Sequence, residues 1–176
     1  MNHSIIIREE KEADYNQVYK LIETAFLTME HSDHDEQNLV NRLRGSKAFR
    51  PELSLVAEYE NRIIGHILFT EAKVGNHILL ALAPVAVIPE MQNNGIGGRL
   101  ITEGHKKAGE LGYKGCIVLG HAQYYPKFGY KKASMYGIQA PFEVPDECFM
   151  AIELVENGLE NVRGTIEYAK EFFEIN

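Results

Sequence analysis

Two short stretches of this sequence place reactive or ligand-binding groups close together. The first is Gln92-Asn93-Asn94-Gly95-Ile96-Gly97-Gly98, which lies between an apolar run and an amphipathic segment. The opening N–H groups of a helix have no intrahelical partners and carry partial positive charge. A turn leading into a helix is therefore an anion site that suits phosphate. Glycine allows positive φ and close approach of backbone to ligand, and Gln92, Asn93 and Asn94 offer side-chain donors. No Lys-Ser/Thr follows, so this is not a Walker loop. Leu100 stands where a dinucleotide fingerprint needs its third glycine. Taken alone, the segment reads equally well as a flexible strand-to-helix turn.

The second stretch is Gly120-His121-Ala122-Gln123-Tyr124-Tyr125-Pro126-Lys127-Phe128-Gly129-Tyr130. A phenol with an ordinary pKa of about 10 is protonated near neutral pH and can act as a general acid. Tyr124 and Tyr125 both carry one, and as neighbours they point in different directions; both rings are also compatible with a plain core or rim role.

These stretches need a scaffold, and the apolar pattern outlines one. Ile5-Ile6-Ile7 reads as a first strand. Tyr15, Val18, Tyr19, Ile22, Ala25 and Phe26 recur at helical spacing, with Asp14 and Gln17 placed as a capping box. Leu39, Val40 and Leu43 mark a second helix ending near Gly45. Leu53–Tyr59 and Arg62–Phe69 flank Glu60-Asn61, a two-residue hairpin turn. A third apolar run covers His77–Ile88 with Pro84 inside it, where proline marks an edge, a bulge or a break. Ile96, Leu100, Ile101, Ala108 and Leu111 give the next helix a buried face, and Gly112 is its stop. Cys116–Leu119 is a short buried strand. Ser134–Leu154 reads as two more strands around the Pro141–Pro145 turn. The order is mixed α+β rather than regular βα winding.

Composition sets the class. The 176 residues suit one domain spanning 1–176, and 45% hydrophobic with 24% charged residues is ordinary for a globular chain. The net charge of -7 leaves no basic footprint for nucleic acid or an acidic membrane surface. Two cysteines make neither a disulfide framework nor a metal cluster. The start of the chain lacks the pattern of a secretory signal, and no apolar run reaches bilayer length. A reduced, cytoplasmic protein is expected. Oligomeric state is open, and a homodimer is compatible.

The first stretch also carries a longer pattern: Val87, Pro89, Gln92, Gly95 and Gly97 stand as Val-x-Pro-x-x-Gln-x-x-Gly-x-Gly. Here the sequence resembles the GNAT superfamily of acyl-CoA N-acyltransferases. Tyr125, four residues before Gly129-Tyr130, is similar to a second motif of that family, and the double tyrosine resembles a small bacterial branch of it. The resemblance implies a three-layer α/β/α fold whose twisted, mostly antiparallel sheet splays at the cofactor site. It implies acetyl-CoA as cosubstrate, with no metal. Val85, Ala86 and Val87 would bind the pantetheine arm. Gln92, Asn93, Asn94, Gly95, Ile96, Gly97 and Gly98 would wrap the pyrophosphate. Many relatives carry an asparagine where this chain has Gly120-His121.

The implied reaction is direct acetyl transfer to a primary amine, borne by a small molecule or a peptide, without a covalent enzyme intermediate. A thiolate leaves with a pKa of about 8.5 by analogy with cysteine, and Tyr125 would protonate it. The amine must first lose a proton. His77–Val87 holds no carboxylate, so Glu58, Glu71, His66, His121 or a water relay stand as candidate bases, and burial of the amine is an alternative. Glu30–Glu36 reads as a polar loop that caps the second helix, with metal binding the lesser alternative. Cys116 reads as an inert buried thiol, and the carboxylates beside Cys148 disfavour a nucleophile there. Lys106-Lys107 read as a solvated face, or as help for anionic cofactor ends. A CoA-binding module without transferase activity is the rival reading.

Overall fold

The computed structural model describes residues 4–174, so Met1–His3 of the opening stretch lie outside the described residues. The elements in chain order are β1 (Ile6–Glu9), α1 (Tyr15–Phe26), α2 (Glu36–Arg44), β2 (Phe49–Tyr59), β3 (Arg62–Val74), β4 (His77–Val87), α3 (Ile96–Glu110), β5 (Gly115–Leu119), β6 (Lys131–Lys132), β7 (Ile138–Gln139), β8 (Phe149–Glu153) and β9 (Gly164–Thr165). The main sheet runs β1-β2-β3-β4-β5-β8-β6. Its pairings are antiparallel except β4 with β5, which run parallel.

Two-residue alternation sorts the strand side chains between two layers. Gly65 and Phe69 of β3 face α3: Leu100 and Ile96 lie over Gly65, and the Phe69 ring fills the space beside Gly104. Ile64, His66, Leu68 and Thr70 point the other way and are buried, against the layer built by α1 and α2. A second apolar cluster on that opposite face joins Ala72, Leu79, Ala81, Ile117 and Phe149 to Ile138, Leu159 and Val162 from the C-terminal segment. The result is the three-layer α+β arrangement.

Local chemistry explains the turns. Glu60 and Asn61 both take positive φ, 50° and 64°, as a two-residue hairpin requires. At the end of α3, Tyr113 N–H donates to Ala108 O and Gly112 N–H to Gly109 O, with Gly112 at φ 95°. That is a complete Schellman stop.

Two expectations are corrected. Asp14 and Gln17 form no capping box. The Asp14 carboxylate instead accepts from Lys11 N–H at 2.8 Å and from the Arg8 guanidinium at 2.8 and 3.1 Å, because a 3-10 turn over Glu12–Asp14 already feeds α1. Asp35, at the start of α2, spends its carboxylate on the Asn38 amide and on Arg42 rather than on a backbone N–H. The two strands expected around the Pro141–Pro145 turn are present as β7 and β8, each with a different partner. β8 has buried residues on both faces and inserts between β5 and β6, while the two-residue β7 pairs in parallel with β9.

Candidate active site

The parallel β4–β5 ladder covers only Leu80–Leu82 against Cys116–Val118. Beyond it β4 runs on to Val87, still paired with β3, whereas β5 ends at Leu119. The sheet is therefore open between Ala83–Val87 and Leu119. Pro84 sits at a bulge: two steps along β3, from Ile67 to Phe69, match three along β4, from Val85 to Leu82. Proline offers no N–H to a ladder, so it suits the point where pairing on one side stops.

Alternation also says which backbone groups face the opening. Ile88 N–H donates to Ile64 O at 3.0 Å. In an antiparallel pair the bonded positions recur every second residue, so Ala86 bonds across to His66, and Val85 and Val87 turn their N–H groups toward the gap. Of the three residues expected to line this strand, Val85 and Val87 present backbone to the opening. Ala86 contributes its place in the ladder.

The glycine-rich turn begins where β4 ends. Gly95 takes φ 79° and Asn93 φ 65°, and the first helical bond runs from Arg99 N–H to Gly95 O. Among the described residues, the six consecutive N–H groups from Asn93 to Gly98 donate to no protein acceptor. Gly97 and Gly98 leave the space above them shallow: an added Cβ would lie 3.1 Å from the Tyr124 hydroxyl at Gly97 and 3.2 Å from the Phe128 ring at Gly98. Ile96 is buried, so only its N–H reaches the turn. The side-chain donors behave differently from expectation. Gln92 Nε2 donates to Val87 O at 3.0 Å and Asn94 Nδ2 to Met91 O and Gln92 O, so both amides hold the turn's shape and leave the backbone to face a ligand. Beside the turn, a groove of about 310 Å³ is lined by Gly95, Gly98, Arg99, Thr102, Glu103 and Phe128.

The second stretch folds back over this turn. Tyr125–Phe128 form a 3-10 turn closed by Gly129 at φ 101°, which sends Tyr130 inward. Tyr125 is 8% exposed. Its ring covers Gly120 so closely that no side chain fits there, and it meets Tyr124 and Tyr130 edge-on at 5.1 and 5.7 Å. Burial pushes the Tyr125 phenol above its ordinary value, so it is a proton donor at neutral pH and not a base. Tyr130 is anchored by His105 on α3, whose Nε2 lies 2.8 Å from the Tyr130 hydroxyl.

The candidate bases sort clearly. Glu58 is held by Arg8 Nε at 2.7 Å, and Glu71 by Arg50 at 3.2 Å and by the Tyr113 hydroxyl. His66 is fully buried on the α1/α2 face, with Nε2 3.0 Å from Ser54 Oγ, and burial lowers its pKa to about 4. His121 is exposed, and its carbonyl accepts from Tyr124 and Tyr125 N–H. Burial raises the Cys116 thiol to about 12, which makes it inert. In the polar loop, the Ser32 hydroxyl donates to Glu36 and the Asp33 carboxylate accepts from Asp35 N–H. Lys107 pairs with Glu9 at 3.7 Å instead of reaching toward the turn.

Comparison with known proteins decides the family. Residues 50–132 match the model of the acetyltransferase (GNAT) domain. The N-acetyltransferase YjhQ of Escherichia coli (strain K12) is 43% identical over 123 residues, covering 65% of this chain and 68% of that protein. The chain belongs to the GNAT acetyltransferase family. A GNAT family acetyltransferase from Brucella melitensis, solved in complex with acetyl-CoA, superposes with a TM-score of 0.81 at 31% identity, over 97% of this chain and 99% of that one. The E. coli GNAT enzyme YhbS, solved with CoA, shares the fold at a TM-score of 0.90 and 24% identity, over 100% of this chain and 96% of that one. Like its GNAT relatives the chain is an acyltransferase, and both sequence stretches fall inside the matched domain.

Sequence reading missed three features of this GNAT site. The Tyr124 hydroxyl sits over Gly97, and Phe128 sits over Gly98. Their spacing before Gly129 was visible, but their partners are some 30 residues away and only the fold brings them together. The His105–Tyr130 contact was likewise hidden, because a single histidine on a helix carries no signature.

Proposed function

We propose that this GNAT protein transfers an acetyl group from acetyl-CoA to a primary amine by direct attack, with Tyr125 as general acid. The observation that carries this reading is the continuity of three features. The open edge of β4, with the backbone of Val85 and the N–H of Val87 facing the gap, leads to the N–H groups of Asn93–Gly98, which are free among the described residues, and Tyr125 closes the opposite side. An extended amide-bearing arm suits the first, a pyrophosphate the second. Gly97 and Gly98 support that fit, since a side chain on either would crowd the Tyr124 hydroxyl or the Phe128 ring beside the turn.

When bound, acetyl-CoA supplies an acetyl group activated as a thioester. Val85 and Val87 hold the arm as an added strand would be held, which places the thioester in the opening beside Tyr125. The amine lone pair forms a bond to the carbonyl carbon, and the carbon–sulfur bond breaks. The Tyr125 hydroxyl gives its proton to the departing sulfur, and the nitrogen gives up a proton in turn, so that amide and thiol are the products. Of the four named bases, His121 is the one that is exposed and adjacent to Tyr125, and it takes the nitrogen's proton directly or through water. Glu58 and Glu71 are committed to ion pairs and His66 is sealed in the core.

The test is thiol release from acetyl-CoA across a panel of small amines, polyamines, amino acids and peptide N-termini. Amine-dependent release with an equal yield of N-acetyl product is expected. Tight CoA binding with no release from any amine would overturn the proposed reaction.

A further inference from the structure

The face of the sheet opposite α3 carries a pocket of about 610 Å³ beside the end of β5. Ile138, Phe142, Val144 and Phe149 form its apolar lining, and Glu143 and Asp146 bring carboxylates to it. Phe149 ties this pocket to the opening in the sheet. It pairs with Leu119, the last residue of β5, and the next N–H, that of Gly120, donates to Cys148 O at 2.9 Å. Gly120 is the residue covered by the Tyr125 ring. Leu119 lies on the Phe149 face by strand alternation and is 46% exposed. The pocket thus starts one strand from the place where β4 and β5 part, on the side that α3 and the glycine-rich turn leave clear.

The two carboxylates differ. Asp146 stands 3.8 Å from Lys132 Nζ. Glu143 is exposed and makes no ion pair or hydrogen bond among the described residues. A cation is the complement of Glu143. The attacking nitrogen, however, must be neutral, and a carboxylate beside it would favour its charged form. Toward the opening the pocket ends at Phe149, and its strand partner Leu119 is exposed beyond it, an apolar surface that favours a neutral amine. One ligand class meets both demands: two nitrogens separated by an apolar spacer.

We propose that the acceptor is a diamine. Its distal ammonium pairs with Glu143, its spacer lies on Phe142 and Phe149, and its reacting nitrogen emerges beside Leu119. The assignment rests on the acetyl-transfer reading above.

Two measurements test it on the full chain. With acetyl-CoA saturating, thiol release is followed with 1,6-diaminohexane and with hexylamine. An exposed ion pair contributes up to about 1 kcal/mol, or about fivefold. The diamine should therefore have a several-fold higher kcat/KM. Glu143→Gln should raise its KM about fivefold with kcat little changed, and leave hexylamine unaffected. Equal use of the two amines by the wild type, or an equal loss for both in the variant, would overturn the diamine assignment while leaving acetyl transfer standing. The second measurement is calorimetric titration of 1,6-diaminohexane into the CoA-saturated protein, which reads binding without turnover. A several-fold weaker Kd in Glu143→Gln supports the site even if no amine is acetylated. An unchanged Kd, or no diamine binding at all, overturns it. Asp146→Asn is the companion variant: because Lys132 already faces that carboxylate, it should weaken the diamine less than Glu143→Gln does, and the reverse order would also count against Glu143 as the anchor.

Discussion

His105 Nε2 on α3 lies 2.8 Å from the hydroxyl of Tyr130, and the two rings pack with centroids 5.4 Å apart. This contact ties the helix that begins at the glycine-rich turn to the segment that carries Tyr125, whose ring rests on the edge of Tyr130. Tyr130→Phe keeps the ring and leaves His105 without its partner. His105 is half-buried, so a loss of up to about 1 kcal/mol is expected, the low end for a polar group left unsatisfied, read as a lower melting temperature by calorimetry. A melting temperature equal to wild type would show that water replaces the hydroxyl and that the contact holds nothing in place.

Tyr125→Phe removes the proposed proton donor and keeps the ring that covers Gly120. General acid catalysis contributes about 10²–10⁴-fold, so kcat should fall by at least the lower figure with KM for acetyl-CoA little changed. Steady-state kinetics on both substrates separates the two effects. A variant with wild-type kcat would remove Tyr125 from the acid role and turn attention to Tyr124, whose hydroxyl lies at Gly97.

Gly97→Asp brings a carboxylate to the N–H cradle and crowds the Tyr124 hydroxyl, 3.1 Å from the added Cβ. Like charges at this separation repel pyrophosphate, so CoA should bind more than about tenfold more weakly, a change of about 1.4 kcal/mol. Titration calorimetry with CoA measures it. Unaltered affinity would place the pyrophosphate elsewhere.

Gly104→Ala should destabilise the protein, against the rule that alanine favours a helix over glycine by about 1 kcal/mol. The space a Cβ would need on α3 is already filled by the fully buried Phe69 ring. Overpacking costs about 1–3 kcal/mol and outweighs the helical gain. Urea denaturation reads the sign, and a more stable variant would mean that Phe69 can give way.

Stability should rise with pH across the acid range. Burial lowers both His66 and His105 to about 4, whereas an unfolded histidine titrates near its ordinary 6.5. Between those values the unfolded chain binds more protons than the folded one. Each histidine therefore removes up to about 1.4 kcal/mol per pH unit as pH falls through the window. Denaturant midpoints at a series of pH values test this, and His105→Phe should flatten part of the slope. A flat profile in the wild type would mean that one or both histidines reach solvent.

Much of the site was legible because it is written in consecutive residues. The glycine-rich turn needs no distant partner to be recognised. Strand, turn and helix follow one another, and the free N–H groups are a property of any helix start. Pro84 marked an interruption of the strand for the same reason, since a residue without an N–H limits its own pairing, and the register made it a bulge. Strand order in the C-terminal part was not legible. β8 sits beside β5 because burial on both faces favours the middle of a sheet, and its neighbours there are distant in sequence.

The sequence by itself determined the α+β character of the chain, the hairpin at Glu60-Asn61 and the glycine-rich strand-to-helix turn at Asn93–Gly98, because each depends on spacing within a few residues. Only the tertiary structure decided which groups are available for chemistry. It spent Glu58 and Glu71 on ion pairs, sealed His66 under α1 and α2, and turned the amides of Gln92 and Asn94 inward. It also opened the sheet beside Leu119 and left Glu143 without a partner among the described residues. Whether a charge is paired depends on which residues meet across the fold, and that information lies in contacts between segments far apart in the chain.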